Sequence, residues 1–167
     1  VVSHGLWSNK MDMDAKTQIK TGNVKIDAYP PMRQFVPFGY FFPMSSMNLA
    51  FGREVAPLMY FPLLGEDPQG KAWGFDRYDD IWAGIFVKKI LDHLGLVANN
   101  GSPFVEHRKA SDPHKNLLNE KAGLKINEEL WQRVDALQLT AKSVLASYME
   151  LLENVDLPRQ KYFAHLR

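Results

Sequence analysis

The apolar positions of the chain predict a loop-rich first half, one buried helix in the middle and an amphipathic end. Residues 1–23 are polar and loop-like, with Asp12 and Asp14 ahead of a short helix. Val24 to Ala28 alternates apolar and polar, which predicts a strand. Across residues 29–43, Pro30, Pro31, Pro37 and Pro43 forbid a helix and disfavour a central strand. The aromatics among them, Phe35, Phe38, Tyr40, Phe41 and Phe42, are expected in a core or an interface under a long loop. Ser45 to Phe51 is expected as a buried strand and Glu54 to Leu64 as a short interrupted helix or turn. Gly65 to Gly70 is a loop by its Gly and Pro content.

The period then changes. Trp82, Phe86, Ile90 and Leu94 predict a helix capped by Asp79 or Asp80 and stopped at Gly95. Ile81 and Ile85 lie on its other side, so the first two turns are apolar nearly all round. Lys88, Lys89 and Asp92 are expected to restore a wet face later. Such a helix starts in the interior and ends at the surface. Pro103 to Glu106 predicts a short strand. From Asn127 one long amphipathic helix is expected, with Glu128 and Glu129 in its first turn. Its stripe runs through Leu130, Val134, Leu137, Ala141, Val144, Tyr148 and Leu151. Pro158 and a basic tail follow.

Composition narrows the function classes. With 46% hydrophobic and 23% charged residues over 167 positions, the chain is neither a disordered tail nor a fibre. A net charge of +1 gives no footprint for nucleic acid or an anionic membrane. The absence of cysteine excludes disulfides, thiol nucleophiles and iron–sulfur clusters. The longest strongly apolar run, Ile81 to Val87, is too short for a transmembrane segment. The opening Val1-Val2-Ser3-His4-Gly5-Leu6-Trp7 has no initiator Met and no signal pattern, and reads as a chain entered mid-way.

The candidate chemistry gathers ahead of the buried helix. Arg77, Asp79 and Asp80 place two carboxylates and a guanidinium at the edge of a buried space. The plain alternative has one Asp capping the helix and the other paired with Arg77. His4, His93, His107, His114 and His165 show no metal-ligand spacing; His93, near a helix end, is expected to be structural. His107 and His114 flank a loop with Arg108, Lys109 and Ser111, suited to a phosphate or a metal–diphosphate, though a solvated basic loop looks the same. No G-x-S-x-G, P-loop or G-x-G-x-x-G is present.

Four ordered blocks resemble one family. Ser3-His4-Gly5-Leu6-Trp7, with Asp12, Asp14, Ala15, Thr17 and Gln18, is similar to a signature of the reversibly glycosylated polypeptides, the UDP-arabinopyranose mutases. Phe42-Pro43-Met44 with Met47-Asn48-Leu49-Ala50-Phe51 resembles the next block. Arg77-Tyr78-Asp79-Asp80-Ile81-Trp82-Ala83-Gly84, continued by Asp92-His93-Leu94-Gly95-Leu96, matches another nearly letter for letter. Gly101 to Pro113, with His107-Arg108-Lys109-Ala110-Ser111, matches a fourth. The likeness covers roughly residues 1–120. The departures are Gly52 for an acid, Arg108 for a small polar residue, and a tail beyond about Leu124 that matches poorly.

The resemblance implies an α/β fold: the second half of a glycosyltransferase A-type-like domain with a C-terminal helical region, split as 1–124 and 125–167. It implies a nucleotide-binding half ahead of Val1 that carries the D-x-D metal motif and the glycosylated arginine. Asp12-Met13-Asp14 has that form but sits in another block, so it is not assigned that role. Asp79 and Asp80 are implied as catalytic carboxylates that orient the sugar or act as base. His4, Trp7, Asn48, Arg77 and Lys109 are implied to bind substrate, and His107 to ligate a divalent cation, Mn or Mg, in the complete protein. No metal is expected to be ordered by this chain alone. The implied activity is interconversion of UDP-arabinopyranose and UDP-arabinofuranose, with self-glycosylation; the chain alone is expected to be inactive. The implied partners are a UDP-sugar and the nucleotide-binding half or another chain, in a homo- or hetero-oligomer, in the cytoplasm or peripheral to the Golgi. A non-catalytic binding or assembly module of the same fold is the alternative, and an unrelated His/Asp metal hydrolase is disfavoured. An apolar face on Phe38 and Phe41 is expected to stay exposed unless another chain covers it.

Overall fold

The computed structural model of the chain describes residues 1–59, 77–108 and 111–157. The expectations for Gly65 to Gly70, Lys109 and the basic tail lie outside these residues. The fold is mixed α/β, with a curled five-stranded sheet and several helices packed against it.

Two long parallel strands, Val2–Lys10 (β1) and Ala98–His107 (β5), form the centre of the sheet, from Val2 opposite Ala98 to Asn9 opposite His107. Lys25–Ile26 (β2) and Leu49–Phe51 (β4) pair antiparallel with opposite ends of β1. Arg33–Phe35 (β3) pairs antiparallel with β5. The opening residues are therefore a central strand, not a loop. Ser45 to Phe51 is not a buried strand either: a 3-10 turn, Ser46–Asn48, leads into β4, and Ala50 and Phe51 are exposed. The proline-rich stretch yields only the three residues of β3, as its missing amide donors require.

Asp79–His93 (α2) matches the expected helix, and Gly95 follows it at φ +69°, a conformation that favours glycine. Its cap differs. Tyr78 holds the N-cap position without its side chain capping a helix amide, and Asp79 and Asp80 stand in the first turn. Lys88 is not on a wet face. It is 1% exposed, and its ammonium bonds both Asp92 carboxylate oxygens and the Pro37 carbonyl, beneath the Phe38 ring. Trp82, Phe86, Ile90 and Leu91 are fully buried and share one core with Val2, Val55, Leu58, Ala98, Leu130, Val134 and Leu151. Arg53–Met59, a 3-10 segment around Pro57, packs on the same core.

The expected long C-terminal helix is broken in two. Leu124–Asp135 (α4) and Val144–Asn154 (α5) both pack on α2, and residues between them are not helical. The Glu150 carboxylate takes the amide N–H groups of Thr140 and Ala141, so those residues bond to a side chain instead of a helical carbonyl. Ser143 then caps α5. The ring nitrogen of His93, 2.6 Å from the Ala141 carbonyl, gives that histidine the structural role expected of it. Ala15–Thr21 (α1) is the short helix expected after Asp14. Pro113–Glu120 (α3), which the sequence pattern does not reveal, packs against it.

Candidate functional site

Among the described residues three depressions stand out. The largest, about 500 Å³, lies between Pro57 and Met59 and α5; its walls are apolar and hold no carboxylate or base. A small one of about 240 Å³ beside Lys89 and His93 has those groups tied to backbone carbonyls. The third, about 390 Å³, opens beyond the carboxyl end of β1 and carries the ionisable chemistry.

Its walls come from separate parts of the chain. The turn after β1 supplies Asp12 and Asp14, and the start of α2 supplies Arg77, Tyr78, Asp79 and Asp80. Trp7, Met13, Pro43 to Ser46, Ile81 and Glu120 complete the described lining. The Pro43–Met44 backbone lies against α2 because Gly84 has no side chain; a Cβ there would collide with the Met44 amide nitrogen. Gly5 does the same for β1, where Asn48 covers the strand and its amide donates to the Leu6 carbonyl at 2.8 Å. The register slip between Gly5 and Trp7 turns His4 and Trp7 towards each other, and their rings meet edge-on at 6.2 Å.

Asp80 and Asp14 are shifted in opposite directions. Burial pushes the Asp80 carboxyl above the usual carboxylate range; the Ile81 N–H, donating at 2.8 Å, opposes this, and the charges of Asp79 and Asp12 add to it. Burial also acts upward on Asp14, but hydrogen bonds from Thr17 and the nearby Lys16 outweigh it and leave Asp14 below that range. One cleft thus presents an anchored carboxylate and a carboxyl that holds its proton more tightly, the pairing that separates acid and base roles. Tyr78 is pushed up to about 12, by burial first and then by the charges of Glu120, Asp14 and Glu128. Its hydroxyl donates to the Glu120 carbonyl at 3.0 Å.

Of the residues singled out in the sequence, Trp7, Arg77, Asp79 and Asp80 share this cleft. Arg77 pairs with Glu120, its Nε 3.7 Å from Oε1, and with neither aspartate beside it. His4 is buried behind Trp7, its Nδ1 2.9 Å from the Asn100 amide oxygen, and burial lowers its pKa. Asn48 does not line the cleft. His107 ends β5 with Nδ1 3.0 Å from the Lys10 carbonyl and does not line it either. Glu120 escaped the sequence reading because a lone acid at a helix end carries no signal. Asp12 and Asp14 were visible there as a D-x-D pair; the fold brings both to the cleft, where the Asp12 charge acts on Asp80.

The model of the family described as "Reversibly glycosylated polypeptide" matches residues 1–163, so the likeness extends through the tail expected to match poorly. UDP-arabinopyranose mutase 1 of Arabidopsis thaliana is 43% identical over 153 residues, covering 90% of this chain and 42% of that protein. Probable UDP-arabinopyranose mutase 2 of Solanum tuberosum is 43% identical over 157 residues, covering 92% and 42%. Probable UDP-arabinopyranose mutase 1 of Zea mays is 45% identical over 130 residues, covering 77% and 34%. The chain therefore spans about two fifths, or less, of the length of these relatives. With a family match running nearly from end to end, the chain belongs to the reversibly glycosylated polypeptide family.

Proposed function

We propose that the cleft receives the sugar of a UDP-sugar, and that the complete polypeptide interconverts the pyranose and furanose forms of UDP-arabinose and glycosylates itself. The observation that carries this is the placement of Asp79 and Asp80 opposite Asp12 and Asp14, beside Trp7, in a chain whose relatives are named for that mutase activity. Among the described residues, Asp12, Asp14, Asp79, Asp80 and Glu120 outnumber the Arg77 guanidinium and repel a diphosphate, whereas sugar hydroxyls donate readily to carboxylates. The cleft is thus suited to the pentose, with the nucleotide held elsewhere. The exposed part of Trp7 offers an apolar face for the ring. Changing ring size requires protons to move between sugar oxygens, which suits a carboxyl like Asp80 with a raised pKa. In this reading Asp80 exchanges the proton, and Asp79 and Asp14 orient the hydroxyls.

The parallel β1–β5 pair with a cleft at its carboxyl end supports the second half of a glycosyltransferase A-type-like fold. A divalent cation is a separate matter. Among the described residues no three His, Asp, Glu or Cys side chains converge on a metal position, so those residues do not fit a cation as its full ligand set. A cation-ligating role for His107 rests on the family alone. Among the described residues no helix is long and apolar enough to cross a membrane. Placement in the cytoplasm or at the Golgi periphery likewise rests on the family.

The test is Asp80→Asn in the complete polypeptide. Conversion of UDP-arabinopyranose is expected to fall by about 10²–10⁴-fold, the range for loss of a general acid–base group. Unchanged conversion reduces Asp80 to a first-turn residue of α2. A second reading, an assembly module, is favoured by one observation: Phe35, Phe38 and Tyr40 are 64%, 57% and 68% exposed around a turn pinned by buried Lys88. Phe41, expected beside them, is instead half-buried against the core.

A further inference from the structure

We propose that Glu120 is a positioning residue that clamps the two acidic walls of the cleft together and keeps the Arg77 guanidinium away from the aspartates. Glu120 is 5% exposed at the end of α3 and is bonded to both walls. Its Oε2 accepts the Ala15 amide at 3.0 Å, fixing the first residue of α1 directly behind Asp14. Its Oε1 lies 3.7 Å from Arg77 Nε. Its main-chain carbonyl accepts the Tyr78 hydroxyl, which holds the N-cap of α2. Among the described residues Glu120 is the only ion-pair partner of Arg77, although Asp79 and Asp80 follow it by two and three positions.

The consequence is chemical. A guanidinium free to swing onto Asp80 would favour its ionised form and end its usefulness as a proton carrier. Held by Glu120, Arg77 remains at the rim of the cleft. The groups facing Asp80 are then Asp79 on its own helix and Asp12 from the opposite wall, both of like charge. Glu120 needs no contact with a sugar to act in this way. What the clamp serves rests on the functional reading above; the clamp itself does not.

The test is a carbon-detected NMR titration of the Asp80 carboxyl in the 167-residue chain, which needs no turnover. Glu120→Gln keeps an acceptor for the Ala15 amide but drops the charge that holds Arg77. The Asp80 midpoint is expected to move to lower pH, because one negative charge is lost and a guanidinium is released. Adding Arg77→Gln in that background should reverse part of the move. Arg77→Gln alone should raise the midpoint by less than it does in the Glu120→Gln background, and Glu120→Asp, with its shorter reach, serves if Glu120→Gln fails to fold. A midpoint unmoved by Glu120→Gln in a folded chain, or raised as far by Arg77→Gln with Glu120 present as without it, overturns the clamp. In the complete polypeptide Glu120→Gln should lower kcat for UDP-arabinopyranose by about a hundredfold, as small misplacements do, with KM little changed. A shifted midpoint with a wild-type protein that converts no UDP-arabinopyranose upholds the clamp and overturns the functional reading.

Discussion

At the residue scale, Asp80 is held in a state that the fold does not favour once it is charged. Its pKa is raised, so its contribution to stability is fully present below the ordinary carboxylate range and is lost as pH rises through the raised value. Asp80→Asn removes that loss. The variant is therefore expected to melt no lower than wild type at pH 7, and relatively higher there than at pH 4, by calorimetry at both pH values. A drop in melting temperature at pH 7 would show that the ionised carboxylate supports the fold. The same contrast explains what could be read from the sequence. Asp79, Asp80 and Trp7 were recognisable because they sit in dense local motifs. His4 and Asn48 lie in equally dense motifs, yet they serve the strand, through Asn100 and the Leu6 carbonyl. A motif marks which residues are constrained without saying whether the constraint is packing or chemistry.

At the scale of elements, α2 was legible because its apolar residues and its glycine stop agree with one another. β1 was not legible. Ser3, His4, Gly5, Ser8, Asn9 and Lys10 are poor strand formers, and the strand is set by its pairing with β5, nearly a hundred residues away. The break between α4 and α5 was hidden because Leu137 keeps the apolar spacing and packs on the core outside any helix. Two substitutions test these elements. Gly84→Ala forces its Cβ against the Met44 backbone and should destabilise the chain by about 1–3 kcal/mol, the usual cost of overpacking, measured by denaturant midpoint. Lys88→Met strands the Asp92 carboxylate and frees the Pro37–Gly39 turn, which Asp92 also holds through the Gly39 amide at 2.9 Å. Breaking a buried pair from one side costs about 3–5 kcal/mol. The double change Lys88→Met with Asp92→Leu should recover part of that loss. A Lys88→Met variant as stable as wild type would show that the pair is not holding the turn.

At the scale of the whole molecule, one core joins the sheet to α2, α4 and α5, and the cleft lies where the loops from that core converge. Chemistry and surface are thus separate. The carboxylates face the cleft, while Phe35, Phe38 and Tyr40 face outward from β3 and the turn that follows. Changing Phe35 and Tyr40 to serine, with Phe38 left over Lys88, should leave the melting temperature within a few degrees, since exposed side chains contribute little to stability. It should reduce self-association or assembly in sedimentation experiments; unchanged assembly removes the aromatic face as an interface. The central claim concerns the cleft, and the measurement that tests it most directly is a crystal structure of the complete polypeptide with UDP-arabinopyranose. The pentose is expected beside Trp7, with a hydroxyl within hydrogen-bond distance of Asp80, about 2.5–3.0 Å, and the diphosphate clear of the carboxylates. A pentose bound away from Asp79 and Asp80, or a diphosphate seated among them, would contradict the account.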